Sequence, residues 1–376
     1  MSDSFAAPRE VVRITCMVHQ RLNPVTVETL RRFGAHTVLT ESARCVRQES
    51  LPPVFRILGN RMRQQDAPMD IFRTTVEPAD ATEAVQRLRD TLELDKPGRG
   101  SVFVQDIQEY SLLAPPEGRE RDHSPEEGTL LNDLTLITGI VSQAGGAEAL
   151  ARIALRLGAG VPVLTLGEGT GIRDRLGLLR IAIPPEKELI HLIVPSQDAP
   201  GLMRLMIDEG RLDRPGGGFL YQTRLRAAVV DSLVRIGHQE HAASMEQIIA
   251  AVDDLKRGTG WRRRFAGMDS VQEGGSKTRR NHREVVFICP EGRSDAFVQA
   301  AMNTGAAGAT VTKVRCLSFS DVEGGIAARE RGVLCIPSSR EEGVIEALLR
   351  EADRDAEYAT RIQVLDAPSV FSHQRS

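Results

Sequence analysis

Three short stretches carry residues able to hold an anion. Residues 214–218 read Arg214-Pro215-Gly216-Gly217-Gly218, and residues 167–170 read Gly167-Glu168-Gly169-Thr170. Consecutive glycines bare their backbone N–H groups, and such concave nests bind anionic oxygens. Downstream, Arg224 and Arg226 flank Leu225, so on a strand the two guanidiniums share one face. A guanidinium matches phosphate oxygens two at a time. Glu168 works against such a ligand, because its charge repels a phosphate. The third stretch, DKPGRGSVFV (95–104), sets Lys96 and Arg99 around Gly98 and Gly100. Glycines in such places also serve plain sharp turns, and both readings stay open here.

Other short motifs lead nowhere. GGSKT (274–278) lacks the G-x-x-x-x-G-K-[ST] order and a strand before it. HQEH (238–241) offers two histidines with no third ligand, and the five cysteines form no C-x-x-C pair. No nucleophile–base pair, metal set or interpretable carboxylate pair stands out. The expectation is therefore a non-enzymatic protein without a metal. Four of the five cysteines lie in apolar or β-branched runs, as reduced core cysteines of a cytoplasmic protein do. No stretch approaches the apolar length of a membrane span, and MSDSFAAPRE has no signal-peptide core. With a net charge of −3 and 4% aromatics, neither an attractive field nor a stacking platform favours nucleic acid.

The elements that must position these residues recur three times. VVRITCMV (11–18), LTLITGIV (134–141) and EVVFICP (284–290) are apolar strand candidates. Each is followed by a helical stretch and a Gly-Ala joint, at Gly34, Gly158 and Gly305, where a helix needs a left-handed residue to end. A second block repeats as strand, proline and helix, with Pro78, Pro195 and Pro337 closing the strands. Val85, Leu88 and Leu92, and then Val344, Ile345, Leu348 and Leu349, mark buried helix faces. Each unit reads β-α-β, connector, β-α-β, the split βαβ plan. The connectors span about 43–70, 168–180 and 317–331, long enough to suggest function or irregular structure. Between the second and third units, SMEQIIAAVDDLKRGTGWRRR (244–264) reads as an amphipathic helix with a basic tail.

The segment 158–222 resembles the PII signal-transduction proteins and their PII-like relatives. Gly167–Thr170 matches the base of that family's mobile T-loop. Pro185-Glu186-Lys187-Glu188 matches the lead-in to its third strand, and Arg214–Gly218 matches its B-loop. GAAGATVTKVR (305–315) is similar to the family's second-strand entry. The resemblance implies an α+β fold of three tandem ferredoxin-like (split βαβ) PII-like units packed as an intrachain pseudo-trimer. The units span 9–112, 130–230 and 283–370. The amphipathic helix and its tail occupy 238–265, and a linker 266–282. It implies an anionic effector in the clefts between repeats: ATP, ADP, AMP or cyclic AMP. The residues expected to hold it are Gly167, Glu168, Gly169, Thr170, Arg214, Gly216, Gly217, Gly218, Arg224 and Arg226, with Lys96, Gly98, Arg99 and Gly100 in the first unit. It also implies a protein partner, a transporter or a metabolic enzyme, engaged through the long connectors. Any membrane association would then run through that partner, and the chain would be a monomer. A scaffold with decayed sites and, behind it, a nucleotide-processing enzyme are the competing readings.

Overall fold

In residues 81–92, Val85, Leu88 and Leu92 return every three or four positions, and all three are buried in the helix they form. The structure, a computed structural model, describes residues 7–50, 62–111, 130–156, 159–171, 186–214, 216–231, 278–319, 325–354 and 360–372. The expected helix and basic tail at 238–265, HQEH and residues 274–277 of GGSKT lie outside the described residues, as does most of the linker.

The first third of the chain runs β1 (Arg9–His19), α1 (Asn23–Arg32), β2 (Thr37–Ser50), β3 (Met62–Val76), α2 (Ala81–Leu92) and β4 (Gly100–Ser111). The second runs β5 (Leu134–Val141), α3 (Gly146–Arg156), β6 (Val163–Gly171), β7 (Glu186–Pro195), α4 (Ala199–Glu209), β8 (Gly218–Leu225) and a short β9 (Ala227–Val229). The last runs β10 (His282–Pro290), α5 (Ser294–Asn303), β11 (Gly308–Ser318), β12 (Gly325–Pro337), α6 (Glu341–Asp353), β13 (Arg361–Ala367) and β14 (Ser369–Ser372). Gly34 and Gly305 take φ of 91° and 104° at the helix exits, as their position required.

The expected fold class is corrected. The strands do not form three ferredoxin-like sheets stacked as a pseudo-trimer. They join in one continuous 14-stranded sheet, ordered β11-β12-β10-β13-β4-β1-β3-β2-β6-β7-β5-β8-β14, with the short β9 paired to β4 beside this path. Because β11 also pairs with β6, the stretch from β11 to β6 closes into a nine-strand antiparallel barrel. The joints are edge pairings between thirds: Arg361↔Ser111 for β13–β4, Cys45↔Val163 for β2–β6, Cys316↔Leu39 for β11–β2 and Thr310↔Gly169 for β11–β6. An uncovered strand edge presents unpaired N–H and C=O groups, and closure removes it. The first and third connectors are also shorter than the expected 43–70 and 317–331, since strands run to Ser50 and from Met62, and to Ser318 and from Gly325. β2 and β3 continue as a paired ribbon from Leu39↔Arg73 to Ser50↔Met62. Val46, on this ribbon, is fully buried in the cluster formed by α3 and α4, so the extension is packed and not loose.

Helices and sheet form three apolar clusters, each built mainly from one third, with Val46 and Phe371 joining that of the second and Ala227 and Val229 that of the first. The barrel interior is different. Apolar residues of separate thirds meet there, with Met17 and Phe103 beside Leu136 and Ile193, and Leu39 beside Tyr221 and Val286. Among them lies a buried polar network. Arg13 Nη2 donates to Glu284 Oε1 at 3.0 Å and to Gln105 Oε1 at 2.8 Å, and Arg73 Nη1 donates to Glu41 Oε2 at 2.6 Å. Gln105 Nε2 donates in turn to Thr223 Oγ1 at 2.8 Å.

Candidate functional site

The expected anion-binding residues fall into three separate places. The first turn is already occupied by the chain itself. Gly98 adopts φ of 87° and its N–H donates to Asp231 Oδ1 at 2.8 Å. Arg47 Nη2 donates to Asp231 Oδ2 at 2.5 Å, and the Asp231 amide donates to Ser101 Oγ at 2.8 Å. The nest therefore holds a carboxylate, supplied from the end of β9, where an external anion was expected. Lys96 and Arg99 turn away from it. Lys96 Nζ pairs with Glu93 at 2.7 Å, while Arg99 Nε donates to the Leu92 carbonyl at 2.5 Å, satisfying an acceptor at the end of α2. Gly100, with φ of 135°, lets β4 start close against β1, opposite Val18; a Cβ there would overlap the Met17 carbonyl oxygen.

In the second turn the Gly217 N–H is spent on the Arg214 carbonyl at 2.9 Å. A Cβ on Gly217 would lie 2.7 Å from the Leu212 carbonyl oxygen, and one on Gly218 would lie 2.9 Å from that of Ile140. Close backbone packing accounts for these two glycines. Arg224 and Arg226 are both exposed around buried Leu225, so they share a face as expected. They sit at the far end of β8, about 20 Å along the strand from Gly218. Arg226 pairs with Asp106 at 3.0 Å. The turn and the arginine pair do not form one site.

The residues Gly167–Thr170 lie at the end of β6, in strand. They pair with β7, where Gly167 faces Lys187, and with β11, where Thr170 faces Ala309. A Cβ on Gly167 would stand 3.0 Å from the Val311 carbonyl oxygen, so glycine permits β11 to approach this closely. Gly167, Glu168 and Thr170 line a crevice of about 950 Å³ where β2, β6 and β11 converge. Five cationic side chains also line it: Arg44, Lys187, Lys313, Arg315 and Arg329.

The crevice acids divide by role. Glu188 accepts from the Gly145 and Ala147 amides at 2.8 and 3.0 Å, capping α3, and Glu330 accepts from the Ser294 amide at 3.0 Å, at the start of α5. Glu41 is held by Arg73. Glu168, Glu186, Glu291 and Asp295 remain among the cations, with Glu291 3.8 Å from Lys313, so the walls carry both signs. Arg44 is shared with Asp66 at 2.5 Å and Glu148 at 3.5 Å. The five cations were missed as a group because they come from four strands. Their sequence signal is the spacing of Lys313 and Arg315, two apart and so on one face of β11, legible only once β11 is known to line a crevice.

Behind this crevice the interior network sets charge states. Burial works against the Glu41 charge, but Arg73 and Arg331 outweigh it and hold its carboxyl below the usual range. Arg13 and Arg331 do the same for Glu284. Burial, with Arg73 adding to it, pushes His191 down to about 4, so the ring is neutral. Arg331, buried beside Arg73 and Arg13, falls to about 10. The five cysteines are free, and burial raises the Cys16 thiol to about 12, which suits packing and not nucleophilic attack. Among the described residues no group of three or more His, Cys, Asp or Glu could hold a metal ion. No helix among them is long and apolar enough to cross a membrane.

No family model and no curated protein matches the chain. Among solved structures it is similar to the GlnK–ATP complex of B. subtilis, at a TM-score of 0.23 and 12% identity over 27% of this chain and 86% of that one. A second structure of B. subtilis GlnK aligns at the same TM-score and identity, covering 88% of that chain. Aspartate kinase from Synechocystis aligns at a TM-score of 0.22 and 7% identity over 97% of this chain, which spans 47% of the kinase.

Proposed function

We propose that this protein is a non-catalytic regulator that senses a small anionic metabolite, with adenine nucleotides first among those to test. The ligand sits in the crevice between β2, β6 and β11. The observation that carries this reading is the set of Arg44, Lys187, Lys313, Arg315 and Arg329 around a space of about 950 Å³, large enough for a nucleotide or a smaller acid. Strands from all three thirds line that space, so a ligand bound there bears on the barrel closure itself. A protein partner, a transporter or a metabolic enzyme, reads occupancy at the crevice mouth, where β6 ends and β7 begins. Calorimetry of the full chain against ATP, ADP, AMP, cyclic AMP and small dicarboxylates tests the reading. Saturable heat that is lost on Arg315→Glu supports it, and no heat from any of them at millimolar concentration ends it.

One observation favours a second reading, a scaffold whose ligand sites have decayed. Asp231 fills the first glycine turn, so that seam has no room for an external anion while the carboxylate stays. In the scaffold reading the crevice is equally idle, and the same calorimetry separates the two.

A further inference from the structure

Two residues that line the crevice, Glu41 and Thr165, each carry a buried side-chain oxygen with no hydrogen-bond partner, Oε1 and Oγ1. Glu41 is 5% exposed and Thr165 3%, so solvent does not routinely serve them. The other Glu41 oxygen is taken by Arg73 at 2.6 Å. Buried polar atoms in folded proteins are nearly always paired, and an unmet carboxylate oxygen asks for a donor. A threonine hydroxyl can donate or accept. The more exposed part of the same crevice carries Lys313, 3.8 Å from Glu291, and Arg315, whose positive charges favour an anion there.

We infer that the crevice takes an amphoteric metabolite, an anion that also bears an amine. The amine donates to Glu41 Oε1 and Thr165 Oγ1 at the buried wall, and the anionic group lies toward Lys313 and Arg315. This rests on the sensor reading and narrows its ligand. A ligand carrying both signs also suits walls that carry both signs, whereas a pure polyanion meets repulsion from Glu168 and Glu186.

The test uses matched pairs on the full chain by calorimetry: glutamate against glutarate, and AMP against purine riboside 5′-monophosphate, which lacks the exocyclic amine. In at least one pair the amine-bearing member binds tighter by about tenfold or more, the ordinary worth of a hydrogen bond to a charged acceptor. Glu41→Gln abolishes that preference. Where Glu41→Gln fails to fold, because Arg73 is left buried without its charge partner, the near-isosteric Thr165→Val reads the same effect by shrinking the preference. Equal binding within every pair that binds, as expected if a water alone serves Glu41, overturns the amphoteric assignment and leaves the sensor reading standing. An amine preference that survives both substitutions intact overturns the placement at Glu41 and Thr165. No binding by any of the four compounds or the other nucleotides overturns the sensor reading, and this inference with it.

Discussion

The carboxylate of Asp231 sits on the amide of Gly98, with Oδ1 2.8 Å from the nitrogen, although 132 residues lie between them. A loop built to receive an anion receives one from another part of the same chain. Arg47, on β2, completes the cradle.

Removing this carboxylate has two effects. Asp231→Ala leaves the Gly98 amide and the Arg47 guanidinium unmet and lowers stability by roughly 2 kcal/mol. It also empties the nest. In a thermal melt, 10 mM-scale phosphate then raises the midpoint of the variant more than that of the parent, by ordinary ligand linkage. Identical phosphate shifts in the two proteins would show that the turn is not an anion nest.

Two glycine substitutions should differ sharply. Gly100→Ala places a methyl group on the Met17 carbonyl at a φ of 135° and prevents β1 and β4 from pairing there, costing about 3 kcal/mol or more. Gly216→Ala, at φ of 77° with nothing within 4 Å, costs only about 1 kcal/mol. Urea midpoints decide it, and equal losses would contradict the packing described.

Acid should weaken the fold through His191. Its ring titrates near 6.5 in the unfolded chain and at about 4 when folded. Above 6.5 both states are neutral there and its contribution is intact. As pH falls from 6.5 toward 4 the unfolded state binds the extra proton, and stability drops by up to about 3 kcal/mol. Glu41 and Glu284, held below the usual carboxylate range, add losses in the same direction at lower pH. His191→Leu should flatten the stability profile between pH 6.5 and 4. An unchanged slope would mean that the histidine is not buried neutral.

Charge reversal at the crevice separates binding from folding. Arg315 is exposed on β11, so Arg315→Glu should leave the melting temperature within a degree or two of the parent, as surface changes usually do. The same change should weaken an anionic ligand by roughly tenfold or more.

The local elements were legible in the sequence and the joints between them were not. Val85, Leu88 and Leu92 announce their helix face by spacing, and Gly34 and Gly305 announce the exits of α1 and α5. Pro195 and Pro337 close strands where expected. No spacing announces that Cys316 will pair with Leu39, because that contact is chosen by which strand edges stand open in three dimensions. The interior charges were hidden for a related reason. Arg13 lies in VVRITCMV, where an arginine between apolar residues reads as the solvent side of a strand. Its partner Glu284 is 271 positions away. The glycine stretches were found as residues, and the choice between turn and anion nest could not be made from them. Backbone crowding and an internal carboxylate use the same glycines that a phosphate would.

Since β11 bonds to both β2 and β6, the strand that locks the ring comes from the final quarter of the polypeptide. During synthesis, the first two-thirds emerge with those two edges meeting side by side over only two residue pairs, waiting for a third member still inside the ribosome. Truncation anywhere upstream of residue 308 therefore leaves sticky, unsealed borders, and premature termination here yields a product prone to self-association, not a smaller working version.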